Sequence, residues 1–142
     1  MLYPPLLKLP SEEMYRRHFE QTYCRGPIIT FDEIMVRFRK RDFDHCCFES
    51  SMRNGVKDQF SDIRAERLDW ISEALRDPNS DRFCGWDSQK KHHDRNRRVA
   101  VVMGDYIVVI ALTGAKKANF ITAYVADTPT SLAKIKAGPR WI

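Results

Sequence analysis

Residues 60–76 read Phe60-Ser61-Asp62-Ile63-Arg64-Ala65-Glu66-Arg67-Leu68-Asp69-Trp70-Ile71-Ser72-Glu73-Ala74-Leu75-Arg76, and Asp77-Pro78 follows. Ser61 has the chemistry of an N-cap, Asp62 stands where a helix dipole favours an acid, and Pro78 ends the run, so the spacing predicts one helix over 61–76. At about 100° per residue, Phe60, Ile63, Leu68, Trp70, Ile71, Ala74 and Leu75 share one arc. Asp62, Glu66, Asp69, Ser72, Glu73 and Arg76 share the other, which is the pattern of a helix covering a core. The projection also sets Arg64 and Arg67 inside the apolar arc. A guanidinium there needs a carboxylate, backbone carbonyls or an external anion such as phosphate, because burying it unpaired is costly. Snorkelling or core-paired arginines and a phosphate clamp are the two readings.

Outward from this helix, composition sets bounds. With 142 residues and 43% hydrophobic content, the chain has material for one core and one domain. Lys and Arg number 24 against 19 Asp and Glu, for a net charge of +5 and a pI near 9.1, which favours a polyanionic partner. No stretch approaches the roughly 20 apolar residues of a membrane span, and the expectation is a soluble, cytoplasmic chain with no membrane association. Four cysteines at irregular spacing, without a CxxC pair, read as reduced thiols rather than a disulfide framework.

Towards the N-terminus, Tyr3-Pro4-Pro5-Leu6-Leu7-Lys8-Leu9-Pro10 excludes helix and reads as an extended arm, 1–10, whose leucines pack on the body or on another protomer. Ser11 caps a helix with Met14, Tyr15, His18 and Phe19 on one face, ending before Gly26-Pro27. Thr30-Phe31-Asp32-Glu33 has capping-box form and predicts a second helix to about residue 39. Its end, Arg37-Phe38-Arg39-Lys40-Arg41, is either a solvated helix terminus or a nucleic-acid contact.

Asp42-Phe43-Asp44-His45-Cys46-Cys47-Phe48-Glu49 reads as a strand in which His45 and Cys47 face one way and Asp44, Cys46 and Phe48 the other. Adjacent cysteines on opposite faces make a poor zinc site, so no metal or other cofactor is expected. His45 is either a satisfied core histidine or a titratable acid–base group. Asn54-Gly55 then marks a loop leading to Lys57. Beyond the helix, Lys90-Lys91-His92-His93-Asp94-Arg95-Asn96-Arg97-Arg98 is the most basic segment and reads as an exposed loop entering a strand.

Three strands follow, over 99–103, 106–112 and 119–126, joined by turns at Gly104-Asp105 and 114–117; such short connections require an antiparallel meander. In the third strand, Phe120, Thr122, Tyr124 and Ala126 share one face by strict alternation, and Ile121, Ala123 and Val125 the other. Two hydroxyls thereby emerge from an apolar ribbon. A short helix or loop over 132–136 and a terminal segment in which Trp141 docks complete the reading.

The series His45-Cys46-Cys47-Phe48-Glu49-Ser50, Lys57, Phe60-Ser61, Arg64-Ala65-Glu66-Arg67, Trp70-Ile71, Gly85-Trp86, Arg97-Arg98-Val99 and Phe120-Ile121-Thr122-Ala123-Tyr124 resembles the phage-type nucleases of the barnase, EndoU, colicin and RelE (BECR) group. The resemblance spans about residues 43–142. It implies an α+β fold, N-terminal helices packed on an antiparallel β-sheet, within a single domain over 1–142: the arm, a helical part over 11–42 and a nuclease-like core over 43–142. It also implies a metal-independent endoribonuclease, a phage or mobile-element effector or toxin, with RNA (a tRNA or mRNA) as substrate. An antitoxin or immunity protein is the partner a toxin would require.

That chemistry needs proton carriers near neutral pH and cations for the charge on the phosphorane. The candidate catalytic residues are His45 as acid or base, Arg64 and Arg67 as phosphate clamps, and Thr122 and Tyr124 as hydroxyl donors. Lys57, Lys90, Lys91, Arg97 and Arg98 are the candidate substrate-binding cations. Glu66, on the polar arc, is not expected to serve as base. The alternative function is a non-catalytic basic module that binds nucleic acid or a phage or host protein.

Overall fold

The computed structural model describes residues 4–49, 58–87, 92–126 and 128–137, with 84–87, 92–98 and 131 described as backbone only. Among these the chain order is α1 (Glu12–Tyr23), β1 (Ile28–Ile29), β2 (Met35–Arg37), α2 (Asp42–Cys47), β3 (Phe48–Glu49), β4 (Gln59–Phe60), α3 (Asp62–Ala65), α4 (Leu68–Arg76), β5 (Asp81–Asp87), β6 (His92–Met103), β7 (Tyr106–Gly114), β8 (Lys117–Val125) and α5 (Pro129–Lys136). The expected positions of Lys57, Lys90, Lys91, the Asn54-Gly55 loop and Trp141 lie outside the described residues.

The chain is an α+β single domain, as expected. β6, β7 and β8 form the meander, turning at Gly104-Asp105, where Gly104 has φ 65°. The six-stranded sheet runs β1-β2-β8-β7-β6-β5, antiparallel throughout except for the parallel pair β2–β8; β3 and β4 form a separate hairpin. On one face, α1, α2 and α4 enclose an aromatic core in which Phe19, Tyr23, Phe38, Phe43 and Phe120 are buried, Phe38 and Phe120 stacking at 4.7 Å. A smaller cluster on the other face joins Phe83, Ala100, Val102 and Ile107 to Tyr124 and to Leu132 and Ile135 of α5.

Leu7 and Leu9 pack on the core, the Leu7 amide donates to Glu66 O at 2.9 Å, and Trp70 Nε1 donates to Pro4 O at 2.8 Å. Ser11 caps α1, its hydroxyl accepting from the Met14 amide. His18 Nε2 lies 2.7 Å from Asp69 Oδ1, tying α1 to α4.

Five expectations are corrected. The helix predicted over 30–39 is a turn followed by β2: Thr30 Oγ1 accepts from the Ile34 amide at 2.9 Å, Glu33 adopts φ 70°, and the chain then pairs with β8. The part expected to be helical, 11–42, therefore supplies two strands to the common sheet. Residues 42–47, read as a strand, are helical; Asp42 Oδ2 accepts from the Arg39 amide at 2.8 Å, and Cys46 and Cys47 are both buried while His45 is exposed. The basic segment's residues 92–98 belong to β6 rather than to a loop.

The fourth correction concerns the 61–76 helix, which breaks at Glu66-Arg67. The Glu66 carbonyl accepts from the arm, and the Trp70 amide turns instead to Arg67 O at 2.9 Å. The Tyr106 hydroxyl also donates to Arg67 O, at 3.3 Å. With the first turn rotated, Ile63 is 63% exposed, and the Glu66 side chain, expected on the polar arc, is 13% exposed and pairs with Lys8 and Arg67.

Fifth, Phe120 does not share a face with Thr122 and Tyr124. Val109 pairs with Thr122 and Ile110 with Phe120, leaving Ile121 as an extra residue. This bulge shifts the alternation, so Phe120 joins Ala123 in the main core while Tyr124 turns to the opposite face.

Candidate functional site

Beyond Asn119, β8 has no strand partner on the β2 side among the described residues, because the parallel pairing covers only Lys117–Asn119. The C-terminal turn of α2 occupies that edge. Thr122 Oγ1 donates to His45 O at 3.4 Å, and the Cys46 thiol lies 3.7 Å from Ala123 O. The Cys47 carbonyl accepts from the Ser61 amide at 2.7 Å, which sets the start of α3 beside α2. Ser61 Oγ then accepts from the Arg64 amide, capping α3.

This chain of contacts carries Arg64 to the sheet edge. Its guanidinium carbon lies 5.6 Å from the Tyr124 ring centroid, within cation–π range, and Nε lies 3.3 Å from Glu49 Oε1. Glu49 arrives through the β3–β4 hairpin, where it pairs with Gln59 while Phe48 pairs with Phe60. His45, Glu49, Arg64, Thr122 and Tyr124 thus belong to one edge, built from α2, the hairpin, α3 and β8. The His45 imidazole is exposed and forms no hydrogen bond with the described residues.

Arg67 does not join them. Its Nη1 donates to Ile63 O at 2.6 Å, its guanidinium carbon lies 5.0 Å from the Trp70 ring, and its Nε is buried without a partner among the described residues. These contacts fasten the break between α3 and α4, so the two arginines that share an arc in projection have different tasks. Arg97 and Arg98 lie on β6, with Arg98 in register with Ala111 two strands away from β8.

Beneath the edge, the Cys47 thiol is held well above its ordinary pKa by its hydrogen bond to Cys46 and by burial, with Arg64 opposing the shift. It is a protonated packing group. Among the described residues no three His, Cys, Asp or Glu side chains converge as metal ligands.

Sequence reasoning missed Glu49. The helical projection leaves no carboxylate for Arg64 because it considers only the helix and the strands beneath it. The signal was the position of Glu49 four residues after His45, in the same short segment. Comparisons with models of known protein families, with curated proteins and with solved structures found no match for this chain.

Proposed function

We propose that the chain is an endoribonuclease that cuts RNA by transesterification without a metal ion. The observation that carries this reading is the gathering of Glu49, Arg64 and Tyr124 at one sheet edge, beside Thr122, whose hydroxyl donates to the backbone carbonyl of His45, a residue with an exposed side chain, in a chain of net charge +5. His45 and Glu49 are the proton carriers: one accepts the ribose 2′-hydroxyl proton as that oxygen attacks the adjacent phosphorus. The other protonates the departing 5′-oxygen as the P–O5′ bond breaks, leaving a 2′,3′-cyclic phosphate and a 5′-hydroxyl. Arg64 neutralises charge on the phosphorane, and Tyr124, with Thr122 once its hydroxyl turns from the His45 carbonyl, donates to its oxygens. In the resting protein Glu49 holds Arg64 in place. No membrane partner is invoked, since no helix among the described residues is long and apolar enough to cross a bilayer.

The test is incubation of the purified protein with total RNA in EDTA, with end-group analysis of the fragments. Cleavage to 2′,3′-cyclic phosphate ends, lost in His45→Gln, is expected. Activity that vanishes in EDTA and returns with a divalent ion, or that survives His45→Gln unchanged, overturns the proposal. A non-catalytic nucleic-acid-binding module is the competing reading. It is favoured by the net charge of +5, which attracts a polyanion without requiring a catalytic group.

A further inference from the structure

A second feature lies further along the same strand. The last turn of α1, the loop before β1, and the parallel pair β2–β8 enclose a cleft of about 670 Å³. Five cations line it: Arg25, Arg37, Arg39, Lys40 and Lys117. No carboxylate does so among the described residues. Arg39 is paired with Asp42 at 3.6 Å, and its Nε is buried without a partner; Arg25, Arg37, Lys40 and Lys117 form no ion pair with any described residue. Glu20 is the one acid of the shallow recess that adjoins the cleft at Cys24, Arg25 and Lys40. Four cations gathered without an ion-pair partner among the described residues repel one another, and an anion from outside relieves that repulsion.

The rest of the lining narrows the kind of anion. Met35, 41% exposed, and the edge of Phe38 give an apolar wall, while Thr113 and Asn119 supply a hydroxyl and an amide. A free phosphate has no use for an apolar wall. A nucleotide does, because its phosphate meets guanidinium forks, its base packs on apolar surface, and its base edges take hydrogen bonds. The volume is that of a small-ligand pocket, large enough for a nucleotide. The basic run 37–41, which sequence alone leaves between a solvated helix end and a nucleic-acid contact, supplies three of the five cations.

We propose that this cleft grips the backbone of single-stranded RNA and that it does so apart from the cutting edge. The choice of RNA rests on the endoribonuclease reading. Asn119 and Thr122 are three residues apart, roughly 10 Å at about 3.3 Å per residue, so one strand of RNA can occupy both places along β8.

The experiment measures fluorescence anisotropy of a labelled 12-nucleotide 2′-O-methyl RNA, which lacks the attacking hydroxyl and is not cut. Binding is followed between 50 and 200 mM salt for wild type, for Arg37→Gln/Lys117→Gln, and for the control Arg76→Gln/Lys134→Gln, which removes the same charge elsewhere. All four residues are exposed, and Arg25→Gln/Lys40→Gln repeats the test where the cleft adjoins the recess. Each cleft pair is expected to weaken binding at least tenfold at the lower salt and to reduce the log–log salt slope by about 1.4, at about 0.7 per phosphate contact on a single strand. The control pair should change binding less than twofold. Equal losses in the cleft and control variants, no binding by wild type, or displacement of the RNA by polyglutamate at equal charge would overturn the inference. If wild type binds through the cleft yet cuts no RNA, the cleft inference stands and the catalytic reading falls.

Discussion

Replacing Arg64 and Arg67 separately should give opposite outcomes, although the two lie three residues apart in one segment. Arg67 holds the break between α3 and α4: its side chain is 20% exposed, it donates to Ile63 O at 2.6 Å, and it packs 5.0 Å from the Trp70 ring. A charged hydrogen bond contributes about 1.5–3 kcal/mol and a cation–π contact about 0.5–1 kcal/mol, so Arg67→Met should cost roughly 2–4 kcal/mol. With an unfolding entropy of about 2.1 cal/mol/K per residue, a chain of 142 residues loses about 3 °C of Tm per kcal/mol. A fall of roughly 6–12 °C is therefore expected. Arg64 pairs with Glu49, which is 51% exposed, and a surface pair of that kind contributes at most about 1 kcal/mol. Arg64→Lys should leave Tm within about 3 °C yet lower RNA cleavage about 100- to 1000-fold, the usual scale for a lost transition-state donor. Melting followed by circular dichroism and initial cleavage rates, with exposed Arg76→Lys as control, make the measurement. Arg67→Met melting within 2 °C of wild type would refute the fastening role. Unchanged cleavage in Arg64→Lys would remove that residue from the site.

Three further outcomes follow from the packing. Burial holds the Tyr23 and Tyr106 hydroxyls protonated, and the Cys46 hydrogen bond with burial does the same for Cys47, so the folded state keeps protons that the unfolded chain releases. Stability is then full below pH ~8.5 and falls above it, by about 1.4 kcal/mol per pH unit for Cys47 alone and more steeply above ~10 as the tyrosines join; urea titrations across pH 7–10.5 check this, and Cys47→Ala should flatten the first part of the decline. Deleting residues 1–9 removes the Pro4, Leu7 and Leu9 contacts and exposes the Trp70 indole, and should cost roughly 4–8 kcal/mol by denaturant titration, from four hydrogen bonds, two of them to the Tyr15 hydroxyl, and two partly buried leucines. Phe120→Ala, at the centre of the aromatic core, should cost about 3–5 kcal/mol in the same assay.

What the sequence by itself determined is what short-range chemistry decides. The β6–β8 meander is legible because two-residue and four-residue connections between apolar runs permit only antiparallel neighbours, and α1 is legible because Ser11 supplies its own cap. The arm is legible because three prolines exclude helix whatever lies around them. Tertiary structure decided the remainder, through partners distant in sequence. Thr30-Phe31-Asp32-Glu33 offers a helix start in isolation, but the N-terminal half of β8 has an open edge, and pairing with it satisfies the backbone of residues 35–37. The 61–76 segment carries nothing that breaks a helix; Leu7 and Tyr106 break it by taking the Glu66 and Arg67 carbonyls as acceptors. The bulge at Ile121 is equally invisible to a period of two, and it alone separates Phe120 from the face of Tyr124. The candidate site shows the same division. His45, Arg64, Thr122 and Tyr124 could be picked from residue type, but Glu49 and the dismissal of Arg67 could not. Each depends on which carboxylate or carbonyl the folded chain brings within a few ångströms, and a helical projection holds no information about its neighbours.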